Sequence, residues 1–313
     1  MLAYTIKSAI YLSLMYIPYM LMLRKESFFH FNRILLVSIM LLSLVLPFFD
    51  FHSLSFWNNP IQIGLIFISS QTAIMEEGEG IINEGINWIE IASYTYFIGL
   101  TVTLIWKVLQ LISIYGTIHS CVLWKEEKAG ITIYCHAQDI APFSWMNSIV
   151  ISEDDYNNAA EEIINHEMGH VLHNHSFDIL IANLIQVLQW WNPLSWRLSS
   201  SLRDVHEYEA DAEAITGGVD IRQYQTVLVR KVVAGTPYTF ANSFNHSSLK
   251  KRITMMNKKR SNPWKRTKAL YLVPVIAIGL CAFATTVLNK RMYTITEINL
   301  IEKIYFLESM RIH

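Results

Sequence analysis

Charged residues are scarce in this chain of 313 residues, because Asp, Glu, Lys and Arg make up only 16% of it. An ordinary soluble domain has roughly 25%. Apolar residues make up 52%, so the composition argues against a soluble globular class and predicts a membrane protein. Cysteine is rare as well. The three cysteines are Cys121, Cys135 and Cys281. They are too few and too scattered for a disulfide framework or a CxxC metal site, and we expect thiols without a functional role.

Four hydrophobic runs come near the length that crosses about 30 Å of hydrocarbon. They lie at about 1–23, 31–51, 92–114 and 269–288. The first run has neither a charged n-region nor a small-residue cleavage site. It therefore predicts a retained span rather than a removed signal peptide.

Basic residues are absent between Arg33 and Lys107, and this gap orients the spans. Acidic residues crowd the loop 52–91 instead, whereas nine Lys and Arg residues lie within 250–268, just before the last run. The positive-inside rule then places the amino terminus and the acidic loop outside a bacterial inner membrane. The same rule predicts two cytoplasmic stretches: 24–33 and 115–268.

The predicted fold is a mostly α membrane protein with about four transmembrane helices and an inserted α+β domain. Its parts are an N-terminal membrane domain (1–118), a cytoplasmic domain (119–268), the fourth transmembrane helix (269–288) and a short external tail (289–313). Lys290 and Arg291 weakly oppose an external tail.

The run His166-Glu167-Met168-Gly169-His170 carries the main chemical signal. On a helix, positions i and i+4 share one face, about 6 Å apart along the axis. His166 and His170 can therefore hold one metal ion, and Glu167 lies beside it, where a carboxylate could take a proton from water. The apolar periodicity of 154–172 predicts one helix around this motif.

A second pair of side chains completes the site. Glu207 and Asp211 stand at i and i+4 in a helix-like segment, 202–215. One can be the third zinc ligand, and the other can accept a hydrogen bond from the far nitrogen of a ligand histidine. Taken separately, the histidines could be solvated and the carboxylates an acidic helix face. Together they supply two nitrogens, one oxygen and a base, which is what a catalytic zinc with an open fourth position requires.

Four stretches carry a resemblance to a known family: HEMGHVLHNHSFDIL, WWNPLSW, LRDVHEYEAD and FNHSSLKKRITMM. They resemble the BlaR/MecR family of membrane-embedded metallopeptidases and, more broadly, the gluzincins, which combine HExxH with ExxxD. The resemblance implies a gluzincin-type domain with Zn²⁺ as cofactor. It also implies His166, His170 and Glu207 as ligands, Glu167 as general base and Asp211 as the residue behind a ligand.

The same resemblance implies a zinc endopeptidase that turns a signal into cytoplasmic proteolysis of a winged-helix repressor or of itself. The β-lactam sensors of the family carry a penicillin-binding domain after the last span, and here only about 25 residues follow. We therefore do not expect a β-lactam receptor. Two alternatives stay open: a quality-control or prenyl-protein-type protease, and a non-catalytic receptor with a structural zinc. A homodimer also stays open.

Strand-like pieces at 131–135 and 147–151 precede the zinc helix, with a loop around Pro142 between them. In gluzincins the strand before this helix forms an edge that binds an extended peptide. Residues Phe143 to Ser152 resemble that edge, although an ordinary core strand would have the same sequence pattern.

The apolar segment 177–196 is too short to cross and return, and Asn192-Pro193 should break it. We expect a helix that lies on or dips into the inner leaflet; a buried core helix is the alternative.

The basic residues at 250–268 are expected to dock on anionic lipid rather than on nucleic acid. Peptide hydrolysis also needs a hydrogen-bond donor that stabilises the tetrahedral oxyanion. Tyr208 and Asn242 are both candidates, and the sequence does not choose between them. The remaining histidines are treated as structural, with His175 and His206 closest to the site.

Overall fold

The computed structural model describes residues 2–48, 88–128, 130–234 and 242–280, and of residues 2, 232–234 and 242–246 only the backbone. The helices are α1 (Leu2–Met22), α2 (Phe29–Val45), α3 (Trp88–His119), α4 (Glu153–Leu172), α5 (His175–Leu188), α6 (Pro193–Thr216), α7 (Ile221–Ala234) and α8 (Asn242–Met256), with 3₁₀ helices at Leu46–Phe48 and Pro263–Tyr271. The strands are β1 (Val122–Lys128), β2 (Ile131–His136), β3 (Phe143–Trp145) and β4 (Ser148–Ser152). A mostly helical chain with one small sheet agrees with the predicted architecture.

Two of the described helical segments are long and apolar enough to cross a membrane, Phe29–Phe48 and Trp88–His119. They correspond to the second and third predicted spans. The first predicted span forms α1, which is 21 residues long but is not among these two. Of the fourth, residues 272–280 are helical and the rest lies outside the described residues, as do most of the acidic loop and the tail. The four-span count is therefore not confirmed.

The N-terminal helices share one apolar core with the helices of the predicted cytoplasmic domain. Buried side chains of α1 and α2 contact buried side chains of α5 and α6. Polar contacts reinforce this packing: the Tyr16 hydroxyl lies 2.8 Å from Ser201 Oγ. Gln189 Nε2 donates to Ser8 Oγ at 2.8 Å. Burial of this shared face stabilises the two parts as one packed body.

The predicted break at Asn192-Pro193 separates α5 from α6. The Asn192 side chain accepts a hydrogen bond from the backbone N–H of Leu194 at 3.0 Å, and Pro193 occupies the first helical turn. This is the pattern that starts a helix, because proline lacks the N–H that would go unpaired there. α5 packs against α2, α3 and α6, buries Ile185 completely and leaves Phe177 and Leu184 exposed. Entry of this helix into a membrane stays a prediction.

The sheet has the order β1-β2-β4-β3, with β2 and β4 parallel and the outer pairs antiparallel. The two predicted strands correspond to β2 and β4, and the sequence analysis missed β1 and β3. β4, the strand directly before α4, is an inner strand with Ile149 and Ile151 fully buried. The predicted edge at 143–152 is thus wrong for β4, because β4 pairs on both sides. Within 143–152 the edge is formed by β3, and β1 is the other edge strand of the described sheet.

The helix α4 follows β4 without a loop. Ser152 caps it by accepting the Asp155 N–H at 3.2 Å. The helix kinks at Ala159, whose φ and ψ are −155° and 37°. Further along, Gly169 faces α6 so closely that a Cβ there would lie 3.0 Å from the Ala210 Cα. Glycine therefore permits the close contact between α4 and α6 that the site requires.

Candidate metal centre

The predicted ligands converge between α4 and α6. His166 and His170 face inward from α4, one helical turn apart, and Glu207 faces them from α6. The His166 Nε2 and His170 Nε2 atoms lie 3.2 Å apart. Glu207 Oε2 is 3.6 Å from His166 Nε2, and Glu207 Oε1 is 3.8 Å from His170 Nε2.

These distances fit a zinc ion. Tetrahedral zinc with bonds of about 2.0–2.2 Å places its ligand atoms roughly 3.3–3.6 Å apart. Two imidazole nitrogens and one carboxylate oxygen are also the donor set of catalytic zinc sites. His166, His170 and Glu207 thus match the geometry and the chemistry of such a site.

The far nitrogen of His166 is held by two partners. The Tyr224 hydroxyl lies 2.8 Å from His166 Nδ1 and donates its own hydrogen to Asp211 Oδ1 at 2.7 Å. Since the Tyr224 oxygen has already given its hydrogen, it can only accept from His166. The Nδ1 of His166 therefore carries a hydrogen, and its Nε2 faces the cluster. Asp211 Oδ1 stands 3.3 Å from the same nitrogen, on the side of the His166 ring that faces away from the cluster.

A different relay holds His170. Its Nδ1 lies 2.8 Å from His175 Nδ1, and His175 Nε2 lies 3.1 Å from Glu209 Oε2. Burial lowers the pKa of His175 to about 4, so its ring is neutral. Its one hydrogen is on Nε2, because the Glu209 carboxylate can only accept. His175 Nδ1 is then an acceptor, His170 Nδ1 is the donor, and His170 Nε2 is left as a free lone pair.

Both ligand histidines are thus oriented to present Nε2 to the same point. Two lone pairs 3.2 Å apart repel each other unless a proton or a cation lies between them. Burial lowers the pKa of His166, but its bonds to Asp211 and Glu207 outweigh this effect and raise that pKa to about 9. A metal ion would replace the extra proton, as metal binding to histidine generally does.

Glu167 is buried beside this cluster. Burial raises the pKa of its carboxyl group, and the charge of His166 and a hydrogen bond with Ser144 oppose that rise. Ser144 belongs to the edge strand β3, so the carboxylate stands between the histidines and the edge of the sheet. A carboxylate with a raised pKa at this place has the properties of a general base.

Arg252 on α8 is a residue that the sequence analysis missed. Its Nη1 lies 2.9 Å from Glu207 Oε2, and its Nε donates to Asp211 Oδ2 at 3.0 Å. Burial would raise the pKa of Glu207, but a hydrogen bond from His166 and the Arg252 charge outweigh it and hold that pKa well below its usual range. Arg252 therefore keeps the predicted third ligand ionised. It lies in FNHSSLKKRITMM, a stretch that the resemblance had already marked.

The two candidate oxyanion donors fall elsewhere. The Tyr208 ring packs 5.5 Å from the Phe29 ring and lines a cavity of about 760 Å³ beside the start of α2. No hydrogen bond or ring contact joins it to His166 or His170 among the described residues. The Asn242 side chain lies outside the described residues, although its backbone begins α8. Neither residue is brought to the cluster by the described contacts.

Comparison with known proteins agrees with the geometry. A family model described as BlaR1 peptidase M56 matches residues 126–256. No curated protein matches the chain. The matched segment contains the two histidines, Glu207, Asp211 and Arg252, which are the residues that converge in the structure. The resemblance to the BlaR/MecR type of membrane metallopeptidase is thus confirmed by the family match over residues 126–256.

Proposed function

We propose that this chain is a zinc endopeptidase whose metal is held by His166, His170 and Glu207. The observation that carries the proposal is the convergence of both Nε2 atoms and the Glu207 carboxylate at distances of 3.2, 3.6 and 3.8 Å. Zinc, when bound, supplies a Lewis acid that acidifies water and polarises a carbonyl. Asp211 and Tyr224 orient His166, and His175 orients His170.

Glu167 performs the proton transfers in this proposal. Its carboxylate takes a proton from the attacking water and later delivers it to the leaving amine. The raised pKa suits this task, because it makes the carboxylate a better proton acceptor than an exposed glutamate. Ser144 limits the rotation of the carboxylate through its hydrogen bond.

The edge strand β3 is the proposed binding surface for the substrate. Among the described strands it pairs with β4 alone, so its other side is free to hydrogen-bond an extended peptide. Ser144 lies in the middle of β3 and bonds Glu167, which brings the backbone of a bound peptide close to the base. We propose this three-residue edge in place of the longer segment predicted from the sequence.

We further propose that cleavage serves signalling and that the substrate is a transcriptional repressor or the chain itself. The family match and the two apolar helices support a membrane-embedded protease of this kind. New protein amino termini should be identified by mass spectrometry in cells that produce wild type or Glu167→Gln. Termini in one repressor or in this chain, present only with wild type, are expected. Termini scattered over many membrane proteins would favour the quality-control alternative, and identical termini in both strains would contradict proteolysis.

The catalytic domain is proposed to face the cytoplasm. In a background with Cys121→Ser and Cys281→Ser, we expect Gly78→Cys to react with an impermeant thiol reagent in intact cells and Asn157→Cys to stay unlabelled. Asn157 is exposed on α4, so it should react once the cells are lysed, which controls for burial. Cys121 must be removed because it is exposed, whereas Cys135 is buried. Labelling of Asn157→Cys but not Gly78→Cys in intact cells would reverse the orientation.

A further inference from the structure

A second group of metal-binding side chains lies where the start of α2 meets α4 and α6. It consists of His30, His173 and Glu209, whose donor atoms all lie within 4.8 Å of one another. His30 Nδ1 is 2.9 Å from Glu209 Oε1, and His173 Nδ1 is 3.7 Å from the same oxygen. His30 and His173, from two separate parts of the chain, therefore approach the same oxygen of Glu209.

Glu209 is buried. Besides its histidine partners, it has the Arg33 guanidinium at 3.7 Å from its Oε2. Its Oε2 is taken by His175, while Oε1 faces His30 and His173. The side chain of His30 is 67% exposed, so ions from solvent can reach the His30 ring.

The orientation of His173 points to a cation rather than to hydrogen bonds alone. Its Nε2 lies 3.5 Å from Glu213 Oε2, a carboxylate that can only accept. With its hydrogen on Nε2, towards Glu213, the His173 ring turns the lone pair of Nδ1 towards Glu209 Oε1. Two acceptors 3.7 Å apart are favourable neighbours when they share a positive ion.

We propose that His30, His173 and Glu209 form a second divalent-cation site, for which Zn²⁺ is the preferred ion. Two imidazole nitrogens with one carboxylate oxygen are a donor set that zinc accepts readily. An ion at this place joins α2, one of the two membrane-span candidates, to α4 and α6. Because Glu209 also holds His175, and His175 holds His170, the second ion acts on the orientation of a ligand of the first.

Zinc stoichiometry tests this proposal without any assay of cleavage. The purified full chain is stripped with a chelator, dialysed against buffered free zinc, and analysed for zinc per chain. We expect two ions in wild type, one in His30→Ala, one in His173→Ala and one in His166→Ala. His119→Ala is the matched control, because His119 is also exposed but contacts only Tyr115 and Tyr134 among its described neighbours, and it should keep two ions.

The possible results separate this site from the catalytic one. One ion in wild type that persists in His30→Ala and disappears in His166→Ala would overturn the second site alone. Two ions in both wild type and His30→Ala would also overturn it, because the second ion would then lie elsewhere. One ion that disappears in His30→Ala but persists in His166→Ala would support the second site and contradict the proposed catalytic centre. Circular dichroism of each variant checks that the helices are retained.

Discussion

Replacing Glu167 with glutamine is expected to lower peptide-bond cleavage by at least about 10²-fold, since general-base assistance is typically worth 10²–10⁴-fold. Glutamine keeps nearly the same shape and fills the same buried position beside α6. It cannot accept a proton from water at neutral pH. Zinc content and helix content should remain at the wild-type level, because Glu167 is not among the proposed ligands.

The measurement is kcat/KM for an unstructured polypeptide with the full chain in lipid vesicles. Glu161→Gln is the matched control, because this substitution makes the same chemical change on the same helix at an exposed position. Its rate should equal that of wild type. Equal cleavage by Glu167→Gln and wild type would end the protease proposal and leave a receptor with a structural zinc.

His170→Ala is expected to abolish cleavage through loss of the catalytic metal. A residue behind a zinc ligand typically contributes about 10–100-fold to metal affinity, so removal of a ligand itself should cost more than about 10²-fold. Elemental analysis should find one zinc ion fewer per chain than in wild type. The His175 ring would also lose its partner at 2.8 Å, which removes the relay that orients the site.

His119→Ala again provides the comparison, since it removes an exposed histidine far from the proposed ligands in sequence. It should keep both zinc and activity. Unchanged zinc content in His170→Ala would contradict the ligand assignment. Full activity in His170→Ala would contradict it independently of the metal analysis.

The core of the candidate site could be predicted because it depends on local geometry. His166 and His170 are one helical turn apart, and so are Glu207 and Asp211, so each pair shares a helix face whatever the tertiary structure. The structure brings both faces together and places Asp211 behind His166, at 3.3 Å from Nδ1. The family match over residues 126–256 agrees with the resemblance that the same motifs indicated.

The residues that complete the site could not be predicted, because tertiary packing brings them in. Tyr224 and Arg252 reach the cluster from α7 and α8, at positions with no periodic relation to the histidines. His175 lies only five residues after His170. The direction of its side chain depends on how α5 turns away from α4, and the spacing alone does not determine that turn. His30 reaches Glu209 from a different predicted domain.

The prediction of the sheet edge was wrong for β4 for a similar physical reason. β3 has three residues, which is too short for the alternation that identifies a strand. β4 carries a clear apolar pattern because it is buried between two neighbours, and the same pattern suits an edge strand with one buried face. Register and strand order depend on contacts between segments, so the sequence indicated β2 and β4 but not the order of the strands in the sheet.

Hydrolysis in water enriched in oxygen-18 tests the central claim most directly. The purified full chain in vesicles is stripped of metal, supplied with zinc, and incubated with an unstructured polypeptide, and the products are analysed by mass spectrometry. The account predicts new carboxyl termini that carry the heavy oxygen, formed by wild type only after zinc is restored and strongly reduced in Glu167→Gln. Unlabelled or absent products from zinc-loaded wild type, or labelled products formed equally by Glu167→Gln, would contradict it.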